Sequence, residues 1–145
     1  MLSPGSRGYR AASRPDRLES GMNLKSMPSK TILLAEDAPD LRCLIRDYLQ
    51  KIGYRVFAAQ DGLEALEMSR HYEAEVDLLI TDLKMPRMGG QELAEELRSV
   101  RPGIRVLYMS GDTTLALPTT FLRKPFRMQD LESLVRTLLS KQVLS

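Results

Sequence analysis

The sequence predicts an α/β domain built on a doubly wound, five-stranded parallel sheet, and three observations carry that prediction. From Thr31 onward, short β-branched and aliphatic runs alternate with stretches of helical period, the pattern of strands joined by crossover helices. The 145 residues suffice for one core plus a tail but not for a second sizeable domain. An apolar share of 43% and a charged share of 28% fit an ordinary soluble protein. No apolar run approaches the roughly 18 residues of a membrane-spanning helix.

Strands are expected at 31–36 (TILLAE), 54–59 (YRVFAA), 76–81 (VDLLIT), 104–109 (IRVLYM) and 120–123 (TFLR). Between the first two, Leu41, Leu44, Ile45, Tyr48, Leu49 and Ile52 recur at steps of three and four, with Arg42, Arg46, Asp47 and Lys51 on the other face. Pro39 suits the first turn of that helix and Gly53 its stop. Cys43 falls within it and reads as a small core filler. As the sole cysteine it excludes an intramolecular disulfide, which suits a reducing, cytoplasmic setting.

The second helix opens at Asp61, whose carboxylate can cap free amides while Glu64 reaches back, and runs to about Tyr72. His71, the single histidine, sits near its polar end as a surface residue. A third helix covers about Gln91 to Val100, with Leu93, Leu97 and Val100 inward, and stops at Pro102 and Gly103. The last runs from about Met128 to Ser140 on a stripe of Leu131, Leu134, Val135, Leu138 and Leu139.

One link breaks the alternation. Only nine residues, Gly111 to Thr119, join the fourth and fifth strands, and Pro118 shortens the usable stretch. A parallel crossover takes about a dozen or more residues, so the helix here is expected to be shortened or absent.

Charge is unevenly placed. Residues 1–30 hold six basic and two acidic side chains, so that with a total of +2 the rest carries a net −2. Residues 1–29 read as a flexible leader without the apolar core of a secretory signal, 30–141 as the domain and 142–145 as a tail. The basic density is too low to argue for nucleic acid, and nothing argues for a membrane.

In a doubly wound sheet, ligands sit where the carboxyl ends of strands meet the loops, at the point where strand order reverses. Glu36 and Asp37 end the first strand, Asp82 the third, Ser110 the fourth, and Lys124 before Pro125 the fifth. Alone, each is an ordinary cap, turn residue or surface charge. Met85, Met88, Gly89 and Gly90 read as loop packing and turn geometry. Together, three clustered carboxylates repel one another unless a hard divalent cation with oxygen ligands joins them.

The stretches LLAED, LLITDLKMPRMGG, YMSGD and FLRKPF, in this order and at strand ends, resemble the response-regulator receiver family over about residues 31–140. The resemblance implies a flavodoxin-like sheet of order 2-1-3-4-5. It further implies that Asp82 accepts a phosphoryl group from a histidine kinase or histidine phosphotransfer protein. Mg²⁺ or Mn²⁺ would be held by Asp37, Asp82 and the main-chain carbonyl of Lys84, with Glu36 reaching it through water. Lys124 and Ser110 would each engage a phosphoryl oxygen. Ser110 and Phe121 would form the switch, Phe121 signalling through packing because it lacks a phenolic hydroxyl.

Lys84 and Asp112 each stand two positions beyond a site residue and are expected to pair across the mouth, obstructing attacking water. The shortened link predicts a reshaped docking face, with the Thr-rich stretch from Thr113 to Thr120 as a more mobile switch. Few residues follow the last helix, so the expected output is a contact with a downstream protein. The chain would be a single-domain regulator or a fragment of a hybrid kinase, with no enzymatic activity beyond its own phosphorylation and dephosphorylation. A binding-only receiver is opposed by the intact Asp37, Asp82 and Lys124. An aspartyl phosphatase of another fold is opposed by Leu83 and Lys84 after the acceptor, where a second acid would stand.

Overall fold

The structure is a computed structural model and describes residues 29–112 and 120–140. Along the chain run β1 (Thr31–Ala35), α1 (Pro39–Lys51), β2 (Arg55–Ala59), α2 (Gly62–His71) and β3 (Leu78–Asp82). They are followed by α3 (Gly90–Val100), β4 (Arg105–Ser110), β5 (Phe121–Arg123) and α4 (Met128–Ser140). Every strand pair is parallel and the order is β2-β1-β3-β4-β5, the arrangement expected from the sequence. The chain turns outward from β1 to β2 and then returns to β3, so the order reverses between β1 and β3.

Both central strands are buried along their full length, because each face of the sheet is covered. Their side chains alternate with the pleat. Leu33, Leu79, Val106 and Tyr108 meet Leu93, Ala94 and Leu97 of α3 and Ala65 and Leu66 of α2. Ile32, Leu34, Ile80 and Leu107 meet Ile45 and Leu49 of α1 and Leu131 and Val135 of α4 on the opposite face. Burying each such aliphatic side chain contributes about 1.5–3 kcal/mol, so two layers of this size make the sheet a rigid support for its loops.

Strand boundaries shift by one or two residues from the sequence reading. The largest shift is in β3, whose ladder with β1 begins at Leu78 opposite Ile32. Helix α4 has the expected bounds. Three side chains expected inside are outside. Cys43 is exposed, since it lies on the side of α1 away from Ile45 and Leu49. Leu44 is 53% exposed at the flank of the same stripe, and Val100 is 67% exposed because α3 ends one turn beyond Leu97, its last buried residue. His71 is exposed, as expected. The expectations for the 113–119 link, for the leader apart from Ser29 and for the tail fall outside the described residues.

Candidate functional site

The strand register assembles the site. Ala35 pairs with Thr81, which sets Glu36 beside Asp82 at the ends of β1 and β3. Asp82 pairs with Met109 and Ser110 with Arg123, so Ser110 and Lys124 come next along the same rim. The Lys124 amide donates to the Ser110 carbonyl at 2.9 Å, and a cis peptide joins Lys124 to Pro125. Helix α3 can begin directly over the end of β3 because residue 90 is glycine: a Cβ there would collide with the carbonyl of Asp82.

Lys124 Nζ lies 2.6 Å from Asp82 Oδ1 and 2.9 Å from Glu36 Oε1. Glu36 is fully buried, and its Oε2 accepts the Ala38 amide at 2.9 Å. Arg42 from α1 donates to the Glu36 carbonyl at 2.9 Å, tying down the loop that carries Asp37. Asp82 is buried, and among the described residues its Oδ2 is the one buried side-chain polar atom without a hydrogen-bond partner. Such an atom costs about 1–3 kcal/mol to bury.

Burial pushes the Asp82 carboxyl up to about 8, neighbouring Glu36 adds to the rise, and Lys124 opposes it. Burial alone would lower the Lys124 ammonium, but its bonds to Asp82 and Glu36 outweigh that and hold it above the usual lysine value.

Glu36, Asp37 and Asp82 each offer an oxygen, and the three lie within 4.8 Å of one another. All are hard donors, and with an unpartnered oxygen among them the group fits a divalent cation. Ser110 is buried, and its Oγ accepts the Asp112 amide at 3.1 Å. At the mouth, Lys84 Nζ and Asp112 Oδ2 are 3.1 Å apart, the pairing expected from the sequence. A cavity of about 160 Å³ is lined by Asp37, Asp82, Lys84, Ser110, Asp112 and Lys124. Phe121 is half-buried against the α2–α3 side of the core, and the Arg123 guanidinium lies 5.8 Å from its ring centroid.

Glu36, Asp37, Asp82, Lys84, Ser110 and Lys124 thus gather at one rim, whereas Phe121 stands earlier in β5, opposite Tyr108. Both carboxylate oxygens of Glu36 also serve protein groups, Lys124 and the Ala38 amide. Sequence reasoning missed the Arg42 tether and the ion pair between Asp61 and Arg87, at 2.7 Å. Asp61 was legible only as a helix cap, and nothing in the sequence near Arg87 marks a partner so far away along the chain.

Residues 32–136 match the response regulator receiver domain family. The chain belongs to this family. The receiver is 36% identical over 139 residues to the sensor kinase CckA of Brucella abortus (strain 2308), an alignment covering 90% of this chain and 14% of that protein. To the response regulator receiver protein CpdR of the same organism it is 35% identical over 118 residues, covering 76% of this chain and 97% of that one. Among solved structures, the response regulator protein TrrA from Thermotoga maritima, in complex with Mg(2+)-BeF, superposes with a TM-score of 0.66 at 29% identity. That match covers 76% of this chain and 99% of TrrA. The receiver therefore matches a small part of one relative and nearly the whole of another. Its acidic cluster fits the family's metal site. Among the described residues no helix is long and apolar enough to cross a membrane.

Proposed function

We propose that this receiver is a phosphorylation switch in which Asp82 takes a phosphoryl group from the phosphohistidine of a histidine kinase or histidine phosphotransfer protein. The observation that carries the reading is the buried, unpartnered Oδ2 of Asp82, set beside two further carboxylates and an ammonium. A structural carboxylate in that position would be satisfied; a reacting one is left open.

Asp37, Asp82 and the Lys84 carbonyl would hold Mg²⁺ or Mn²⁺, with Glu36 adding negative charge beside them. The cation, when bound, offsets the repulsion among the carboxylates and neutralises phosphate charge. An oxygen of Asp82 attacks phosphorus, the new P–O bond forms as the P–N bond breaks, and the imidazole departs with the electron pair and takes up a proton. Lys124, now on Asp82 Oδ1, passes to a phosphoryl oxygen, and Ser110 turns its hydroxyl to another. Phe121 follows into the space Ser110 vacates and alters the surface offered to a downstream protein. The domain so defined spans 30–141 and works in the cytoplasm, without direct nucleic-acid contact.

Mass spectrometry after incubation with acetyl phosphate and Mg²⁺ tests the reading. The wild type should gain one phosphoryl group, and Asp82→Asn none. An unlabelled wild type, or label persisting in the variant, rejects it.

A further inference from the structure

The loop from Leu83 to Gly89 joins the acceptor to α3 and carries Lys84, and one residue pins its far end. Arg87 stands at φ +70°, in the left-handed region that side chains other than glycine and asparagine seldom adopt. From there its Nε and Nη2 both donate to Asp61 Oδ2, at 2.9 and 2.7 Å. The other oxygen of Asp61 accepts the Glu64 amide at 2.9 Å and so caps α2. Asp61 therefore serves two elements at once, and its side chain is only 8% exposed, against 54% for Arg87.

The backbone bond from Glu64 and the Arg87 fork together hold the Asp61 carboxyl below the ordinary aspartate range, despite its burial. Next to Arg87, buried Met88 lies under the first turn of α2, where a Cβ on Gly62 would come within 2.6 Å of the Met88 carbonyl oxygen. The loop is thus gripped against α2 by a forked ion pair and by close packing. Neither Asp61 nor Arg87 lines the acceptor cavity.

We propose that Arg87 is a positioning residue: by gripping Asp61 it fixes the 83–89 loop and so holds Lys84 where the cation needs it. This deepens, and rests on, the receiver reading of Asp82. A main-chain carbonyl has no rotamer with which to seek a metal, so its position is set wholly by the loop around it. A partner that orients a ligand from behind acts on metal affinity more than on the chemistry of the acceptor.

Arg87→Gly is the informative variant, because glycine adopts the +70° conformation freely and removes only the grip. Arg87→Lys keeps a charge but cannot make the fork, and provides a second variant should the first not fold. Asp61→Asn keeps the capping oxygen and loses the ion pair. Mg²⁺ binding is measured calorimetrically, alongside the Mg²⁺ dependence of acetyl-phosphate labelling. Each variant should need more Mg²⁺ for half-saturation, about tenfold more for Arg87→Gly, with labelling restored towards wild type at saturating Mg²⁺. Half-saturation equal to wild type overturns the proposal, as does a loss of labelling that Mg²⁺ does not restore. A wild type that neither binds Mg²⁺ nor takes label overturns the reading of Asp82 itself, which separates the two failures.

Discussion

At the amino end of the sheet, Asp77 Oδ2 accepts the Thr31 amide at 2.8 Å, and the Tyr72 hydroxyl lies between Thr31 Oγ1 and Arg55 Nη1, at 3.4 and 3.2 Å. At the carboxyl end, Lys124 bridges Asp82 and Glu36, yet one oxygen of Asp82 is left without a partner. The cavity at the amino end, lined by Lys30, Thr31, Arg55, Tyr72 and Asp77, has a volume of about 310 Å³, about twice that at the acceptor. Volume therefore does not set the candidate site apart. What does is a buried carboxyl group left incompletely satisfied, a cost that a sheet end with a purely structural role does not carry.

The sharpest way to test this contrast is to remove one partner at each end. Lys124→Ala leaves Asp82 and Glu36 buried without their cation and should cost about 3–5 kcal/mol in the absence of divalent metal. Asp77→Ala removes a hydrogen-bond acceptor at the amino end and should cost about 1–2 kcal/mol. Chemical denaturation of both variants in EDTA gives the comparison. Equal losses would mean that the two clusters are energetically alike.

The same contrast has a smaller, pH-dependent signature. Burial first, and then Glu36, raises the Asp82 carboxyl to about 8, so the folded state keeps a proton that an unfolded aspartate gives up near its ordinary value of about 4. The unfolded chain then binds fewer protons than the native one. Without metal, the stability due to this group is present below about pH 4 and is lost as pH rises through about 8. Asp82→Asn cannot ionise, so its advantage over wild type should open across that window and reach about 1–3 kcal/mol above it. Thermal denaturation at pH 5 and pH 8 in EDTA measures the gap, and Mg²⁺ should narrow it. A gap that does not widen with pH would show that Asp82 is an ordinary satisfied carboxylate.

Much of the site was legible because its residues lie at or just beyond strand ends, where hydrophobic runs stop and polar residues begin. The runs ending at Glu36, Asp82 and Ser110 place those side chains whatever the exact strand boundaries, so a shift of β3 by two residues left the site intact. Helix faces were less legible at their margins. Leu44 and Val100 are aliphatic and near the stripe period, yet they fall beyond the reach of the sheet. Cys43 was misread because composition gives no direction around a helix axis. The Arg87 grip was invisible for a different reason: it depends on a left-handed backbone angle and on a partner 26 residues away, and neither leaves a periodic trace.

The smallest expected effect lies at the mouth of the same pocket. Lys84 is 72% exposed and Asp112 29% exposed, so their pair at 3.1 Å is screened by solvent and contributes under about 1 kcal/mol to stability. Its consequence should be kinetic, because hydrolysis of the aspartyl-phosphate needs a water that reaches phosphorus from the side facing the mouth. Lys84→Ala removes the side chain but retains the main-chain carbonyl, so metal binding should be preserved while the phosphoryl group decays several-fold faster. Loss of label with time, followed by mass spectrometry after the phosphodonor is removed, gives the two rates at fixed Mg²⁺. Equal decay would assign the Lys84–Asp112 pair to the surface alone, and slower decay in the variant would mean that Lys84 assists the water.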